Sequence, residues 1–145
     1  MANSPIKNQQ RVRVIYADTD AMGIVYHMNY LRWFEIGRTE LLRELGLVYA
    51  KMESFKFNLP VSKAFCHYLV PACLDDILIV ETEIDYFKKA SLCFTYTIWN
   101  EQMTKKHAEG YTLHACATRD GRIVRLPEVF TKTVEAYLMR RKNYA

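Results

Sequence analysis

The stretch "YADTDAMGIVYHMNYLRWFEIGRTELL", Tyr16 to Leu42, changes its period part-way along. Just upstream, "RVRVIYAD" alternates: Val12, Val14 and Tyr16 share one face, and Arg11, Arg13 and Ile15 the other. This predicts a strand from about Gln10 to Ala17. "DTDAMG" then breaks the alternation. From Met28 to Leu45 the spacing is helical: Tyr30, Phe34, Gly37, Leu41 and Leu45 recur three or four apart, with Leu31, Arg38 and Leu42 at the edge of the stripe. Gly46 follows as a natural stop. Gly37 sits on the apolar stripe, where a mid-helix glycine costs up to ~1 kcal/mol relative to alanine. Close approach of this helix to a sheet is a reason to keep it. Two acids, Asp18 and Asp20, stand just ahead of the helix.

Downstream of "KMESFKF" the patterning is that of strands. "LPVSKAFCHYLV" is a candidate, and "DDILIVETEIDYF" sets Ile77, Ile79, Glu81 and Glu83 against Leu78, Val80, Thr82 and Ile84. "SLCFTYTIWN" and "KHAEGYTLHACATRD" follow, joined by hairpin turns at "KKA" and "NEQMTKK". A short closing helix is expected from Glu128 to Arg140, after Pro127. One strand, one long helix and then four strands connected by hairpins, without βαβ alternation, predict an α+β fold. Its five-stranded antiparallel sheet would curl around the long helix. No repeat or internal boundary is visible, so residues 1–145 read as a single domain.

Composition narrows the function classes. The chain has 145 residues, half of them apolar and a quarter charged, which suits one well-formed core. Ten tyrosines and seven phenylalanines favour β-structure. The net charge is +4, which favours an anionic partner without naming one. The basic run Arg140–Lys142 suits a helix C-terminus equally well. The polar opening "MANSPIKNQQ" lacks the apolar core of a signal peptide, and no apolar run reaches membrane-spanning length. A cytoplasmic protein with no integral membrane segment is expected. Cys66, Cys73, Cys93 and Cys116 form no CxxC pair and read as reduced core residues. His67, His107 and His114 have no metal-ligand spacing, so no metal is expected.

"YADTDAMGIVYHMNYLRWFEIGRTELL" resembles the signature of the hotdog-fold acyl-CoA thioesterases, nearest the 4-hydroxybenzoyl-CoA thioesterase and YbgC-type group. A Tyr, the D-T-D, the Gly, the Val-Tyr-His and the helical F-E-x-x-R occur together at fixed spacing. "FCHYLVPACLDDILIVET" and "GRIVRLPEVF" extend the likeness over about Arg11 to Phe130. The resemblance implies a hotdog fold, homodimers joined edge to edge and often homotetramers. It also implies hydrolysis of a coenzyme A thioester without a separate cofactor. The residue matching the catalytic acid is Asp20. The backbone amide matching the carbonyl-polarising donor is that of His27.

These residues suit thioester hydrolysis. The reaction needs an activated nucleophile and stabilisation of charge on the carbonyl oxygen. The first amides of a helix lack intrahelical partners and carry positive potential. Asp20 would attack the carbonyl carbon or deprotonate a water. The competing reading is that both acids only cap the helix; Asp18 is assigned to structure on that basis. The His27 side chain stays open between a bonding and a structural role. Tyr16 is a further catalytic candidate, with packing as its alternative. Glu35 and Arg38 form an i, i+3 pair. Candidates for the coenzyme A phosphates are Lys88, Lys89, Arg122 and Arg125, with Lys105 and Lys106 in a second turn. The rival functions are a hotdog dehydratase or hydratase, for which no second acid–base partner of Asp20 is visible, and a non-enzymatic acyl-CoA-binding module. A nucleic-acid reader would need an added helix-turn-helix, for which there is no room. The acyl group is not legible.

Overall fold

Alternation builds the sheet, and the break in alternation builds the site. In the computed structural model, which describes residues 7–47 and 57–144, the elements are β1 (Asn8–Arg13), α1 (Asn29–Glu44), β2 (Val61–Tyr68), β3 (Ile77–Lys88), β4 (Ser91–Asn100), β5 (Lys106–Ala115) and α2 (Glu128–Tyr144). All strand pairs are antiparallel, in the order β1-β3-β4-β5-β2. This is the expected α+β class with five strands. The connection "KMESFKF" lies outside the described residues except for Phe57.

α1 packs on one face of the sheet, touching β1 to β4. Leu78, Val80, Thr82 and Ile84 of β3 point to it and are buried, together with Phe94, Tyr96 and Ile98 of β4. From the helix come Tyr30, Trp33, Phe34, Gly37, Leu41 and Leu42. Phe34 stacks on Tyr96 with centroids 4.1 Å apart. Trp33 joins this stripe although the sequence reading omitted it; it extends the buried face towards Tyr30, 5.4 Å away centroid to centroid. Gly37 meets β3 so closely that a β-carbon would lie 2.1 Å from Thr82 Oγ1. Gly46, at φ +78°, ends the helix in the left-handed region.

Four expectations need correction. The first strand ends at Arg13, not Ala17, because the next amides are taken elsewhere. Val14 N–H donates to the Asp76 carbonyl, and Ile15 N–H to the Asp18 carboxylate, both at 2.9 Å. Tyr16–Asp18 is then a single 3-10 turn. The second correction concerns β2, which does not form a hairpin with β3. It crosses to the far edge and pairs with β5. The closing helix is not short: α2 has 17 residues. It buries Phe130, Val134 and Tyr137. It also clamps the bulge of β3, where Ile84 N–H donates to Tyr137 Oη at 3.2 Å and Arg141 donates to the Ile84 and Asp85 carbonyls. Last, Cys73 is exposed and Cys66 half-buried; only Cys93 and Cys116 are core thiols. No helix among the described residues is long and apolar enough to cross a membrane.

Candidate active site

The segment between β1 and α1 folds as a miniature hairpin. Thr19 bridges Val25, Asp20 N–H donates to the Ile24 carbonyl at 2.8 Å, and Gly23 N–H closes the turn onto the Asp20 carbonyl at 3.0 Å. Gly23 takes φ +80°, a conformation that side chains disfavour. One Asp20 carboxylate oxygen accepts from Met22 N–H at 2.8 Å. The hairpin is docked on the loop before β3, where Ile24 bridges Cys73 and Val25 N–H donates to the Ala72 carbonyl.

Asp18 holds this loop to the helix. Its buried carboxylate accepts from Ile15 N–H and ion-pairs with Arg32 of α1 at 2.5 Å. Its carbonyl accepts from Tyr26 N–H and Asn29 Nδ2, both at 2.8 Å. Asp18 is therefore a framework residue. Neither Asn29 nor Arg32 was singled out in the sequence; nothing local to them signals a partner 11 or 14 residues away.

The regular helix begins at Asn29, two residues after His27, and no side chain caps it. Among the described residues, no acceptor is bonded to the backbone N–H of His27 or Met28. These amides, at the positive end of α1, remain available as donors, and the helix dipole favours a negative charge there. Beside them opens a cavity of about 250 Å³ walled by Ile24, His27, Tyr30, Tyr68, Leu69 and Pro71. The Tyr30 phenol oxygen is bonded to the Ala72 backbone, and burial raises its pKa. Tyr68, at the end of β2, was not singled out in the sequence. Asp20 does not itself line this cavity; it stands across the hairpin, bonded to Ile24, which does. Tyr16 is 81 % exposed, so it does not pack in this chain's core.

The basic candidates divide. Lys88, Lys89 and Arg125 line one cleft of about 500 Å³, together with Phe87, Glu128 and Glu135. Leu126 N–H, donating to the Lys89 carbonyl at 2.8 Å, holds its two sides together. Arg122 lies outside it, in a turn closed by Thr118. Lys105 borders a separate polar cleft, and Lys106 pairs with Glu109. The basic cleft and the Asp20 hairpin are at opposite ends of β3, 12 residues long, or about 36 Å at the usual rise. Among the described residues, no group of three or more His, Cys, Asp or Glu side chains is arranged to hold a metal.

Residues 14–134 match the pattern that defines the thioesterase-like superfamily. The chain belongs to that superfamily. This thioesterase is 35 % identical over 118 residues to a putative esterase of Aquifex aeolicus, covering 81 % of this chain and 90 % of that one. It is 41 % identical over 93 residues to the acyl-CoA thioester hydrolase YbgC of Escherichia coli O6:H1, covering 64 % and 69 %. Its structure superposes on a DHNA-CoA thioesterase from Staphylococcus aureus with a TM-score of 0.84 at 29 % identity, over 94 % and 92 % of the two chains. The hotdog fold, the thioester-hydrolase class and the YbgC-like grouping expected from the D-T-D segment all stand.

Proposed function

We propose that this thioesterase hydrolyses acyl-CoA, with Asp20 as nucleophile or general base and the His27 amide as donor to the thioester oxygen. One observation carries the reading. The Thr19–Val25 hairpin sets a carboxylate on one strand and leads the other strand into unpaired amides at a helix head, beside an apolar cavity. Charge that develops on the oxygen meets donors already in place. The carboxylate supplies the attack or the proton acceptor.

The distance between hairpin and basic cleft argues that the enzyme works as a dimer. β2 is an edge strand, exposed at every position but Cys66, and an open edge invites pairing. Two-fold pairing of β2 with its copy is antiparallel. It brings the Val61 end of the partner, and so the partner's β3–β4 hairpin, beside this chain's Tyr68 and His27. The coenzyme A phosphates then rest on the partner's copies of Lys88, Lys89 and Arg125, while the thioester lies at this chain's Asp20.

Asp20→Asn tests the chemistry. Asparagine keeps the oxygen that accepts from Met22 N–H, so the fold should persist. Turnover of the best acyl-CoA should fall roughly 10²–10⁴-fold, with binding of a non-hydrolysable thioether analogue within a few-fold. Near wild-type turnover in a folded Asp20→Asn protein would remove Asp20 from the chemistry.

A further inference from the structure

The head of α1 is held from the far edge of the sheet. The Tyr30 N–H reaches the His27 carbonyl only at 3.4 Å, long for such a bond. The Tyr68 hydroxyl donates to that same carbonyl at 3.1 Å, across 41 residues of sequence. The His27 ring meets Tyr26 and Tyr68 edge-on, with centroids 4.7 and 6.0 Å away. Tyr68 also stands against Tyr30 at 5.3 Å.

We propose that Tyr68 is a positioning residue for the thioester reaction: its hydroxyl holds the His27 carbonyl and thereby aims the two unpaired amides at the head of α1. This rests on the reading of the His27 amide given above. Two peptide planes decide where these amides point. The His27 N–H belongs to the peptide whose carbonyl is that of Tyr26, and Asn29 N–H fixes that carbonyl at 2.9 Å. The next peptide carries the His27 carbonyl and the Met28 N–H, and its firm anchor is Tyr68. With both planes held, the donors cannot swing away from the oxygen. A peptide whose carbonyl accepts a hydrogen bond is also polarised, which strengthens its N–H as a donor. Donor placement decides much of the rate, because misplacement of reacting groups by ~1 Å costs on the order of 10²-fold.

The hydroxyl is suited to this work. The ring is partly exposed, and its oxygen sits on the His27 carbonyl with the Cys66 thiol nearby. Burial first, and the Cys66 contact second, push its pKa up to about 12. It therefore remains a protonated donor throughout the working pH range. A bystander role as cavity wall would need only the ring.

Tyr68→Phe separates the two roles, because it keeps the ring and removes the hydroxyl. Steady-state kinetics on the best acyl-CoA should show kcat down roughly tenfold with KM within about twofold. A chain with 3,5-difluorotyrosine at position 68 keeps the shape and acidifies the phenol. Its kcat should fall as pH rises through the altered phenol's ionisation, while the wild-type profile stays level there. This second protein preserves the test if Tyr68→Phe folds poorly. Unchanged kcat in Tyr68→Phe, a change confined to KM, or an unaltered pH profile in the fluorinated chain would overturn the proposal. Asp20→Asn measured alongside keeps the two readings apart. If it is inactive while Tyr68→Phe is wild-type, only the role of Tyr68 falls. If it is fully active, the underlying site reading falls instead.

Discussion

Gly37 and Thr82 show how tightly one residue pair sets the helix-to-sheet distance. Thr82 Oγ1 is buried with no hydrogen-bond partner among the described residues, and it occupies the space that a β-carbon on residue 37 would need. Gly37→Ala should therefore destabilise the protein by roughly 1–3 kcal/mol, the usual cost of overpacking, despite alanine's better helix propensity. In a Thr82→Ala background the obstructing hydroxyl is gone. The same Gly37→Ala change should then cost less, since only the approaches to Val80 Cγ1 at 3.2 Å and to the residue-82 β-carbon at 3.3 Å remain to be relieved. Urea denaturation of the four proteins gives the coupling energy. An equal cost in both backgrounds would show that the pair does not set the spacing. The glycine was legible as a close-approach position because a helical stripe has no other use for it. Its partner was not, since no local pattern reports which strand residue it faces.

At the scale of elements, a polar chain runs under the apolar core. The Arg38 guanidinium of α1 lies near the Tyr96 hydroxyl of β4 and works against the rise that burial gives its pKa; that hydroxyl bonds Thr112 of β5 at 2.5 Å. Thr112 bonds His114 Nε2, and His114 Nδ1 donates to the Leu59 carbonyl, each at 2.8 Å. The chain ties the segment entering β2 to the middle of the sheet. Burial pushes the His114 pKa down to about 4, against ~6.5 in the unfolded chain. The unfolded state thus takes up a proton that the folded state refuses. This residue's contribution is complete above pH 6.5 and shrinks as pH falls towards 4, by about 3 kcal/mol across that window. Wild-type stability should drop accordingly, and His114→Gln, although less stable at pH 7, should show a flatter profile. Identical slopes would contradict this. Periodicity had revealed β3, β4, β5 and α1, because each alternates or repeats through its own residues. It overran β1, where alternation continues in the sequence but the amides of Val14 and Ile15 are claimed by Asp76 and Asp18. It could not place β2 at the far edge, because its pairing with β5 is not written in β2 itself. For the same reason Asp20 and His27 were legible as a motif, while Tyr68, Asn29 and Arg32 were not.

For the whole molecule, the separation of hairpin and basic cleft makes a sharp prediction. If coenzyme A is held by the partner, each site draws Asp20 from one chain and Arg125 from the other. A mixed dimer of Asp20→Asn and Arg125→Glu chains then contains one site with both lesions and one with neither. Mixing two poorly active homodimers and allowing exchange should restore activity with the wild-type KM. If each site were built within one chain, every site in the mixture would carry a lesion and nothing would be restored. The far-edge position of β2 also has a consequence in time. Ser62 and Leu113 meet across the β2–β5 edge although 51 residues separate them. At ribosomal rates of about 5–20 residues per second, β2 waits roughly 3–10 s for its neighbour to be made. Throughout that interval Tyr68 has no sheet to hold it against His27. The contact between the head of α1 and the edge of the sheet is therefore among the last to be made, and until then Val61 and Phe65 have no β5 to pair with.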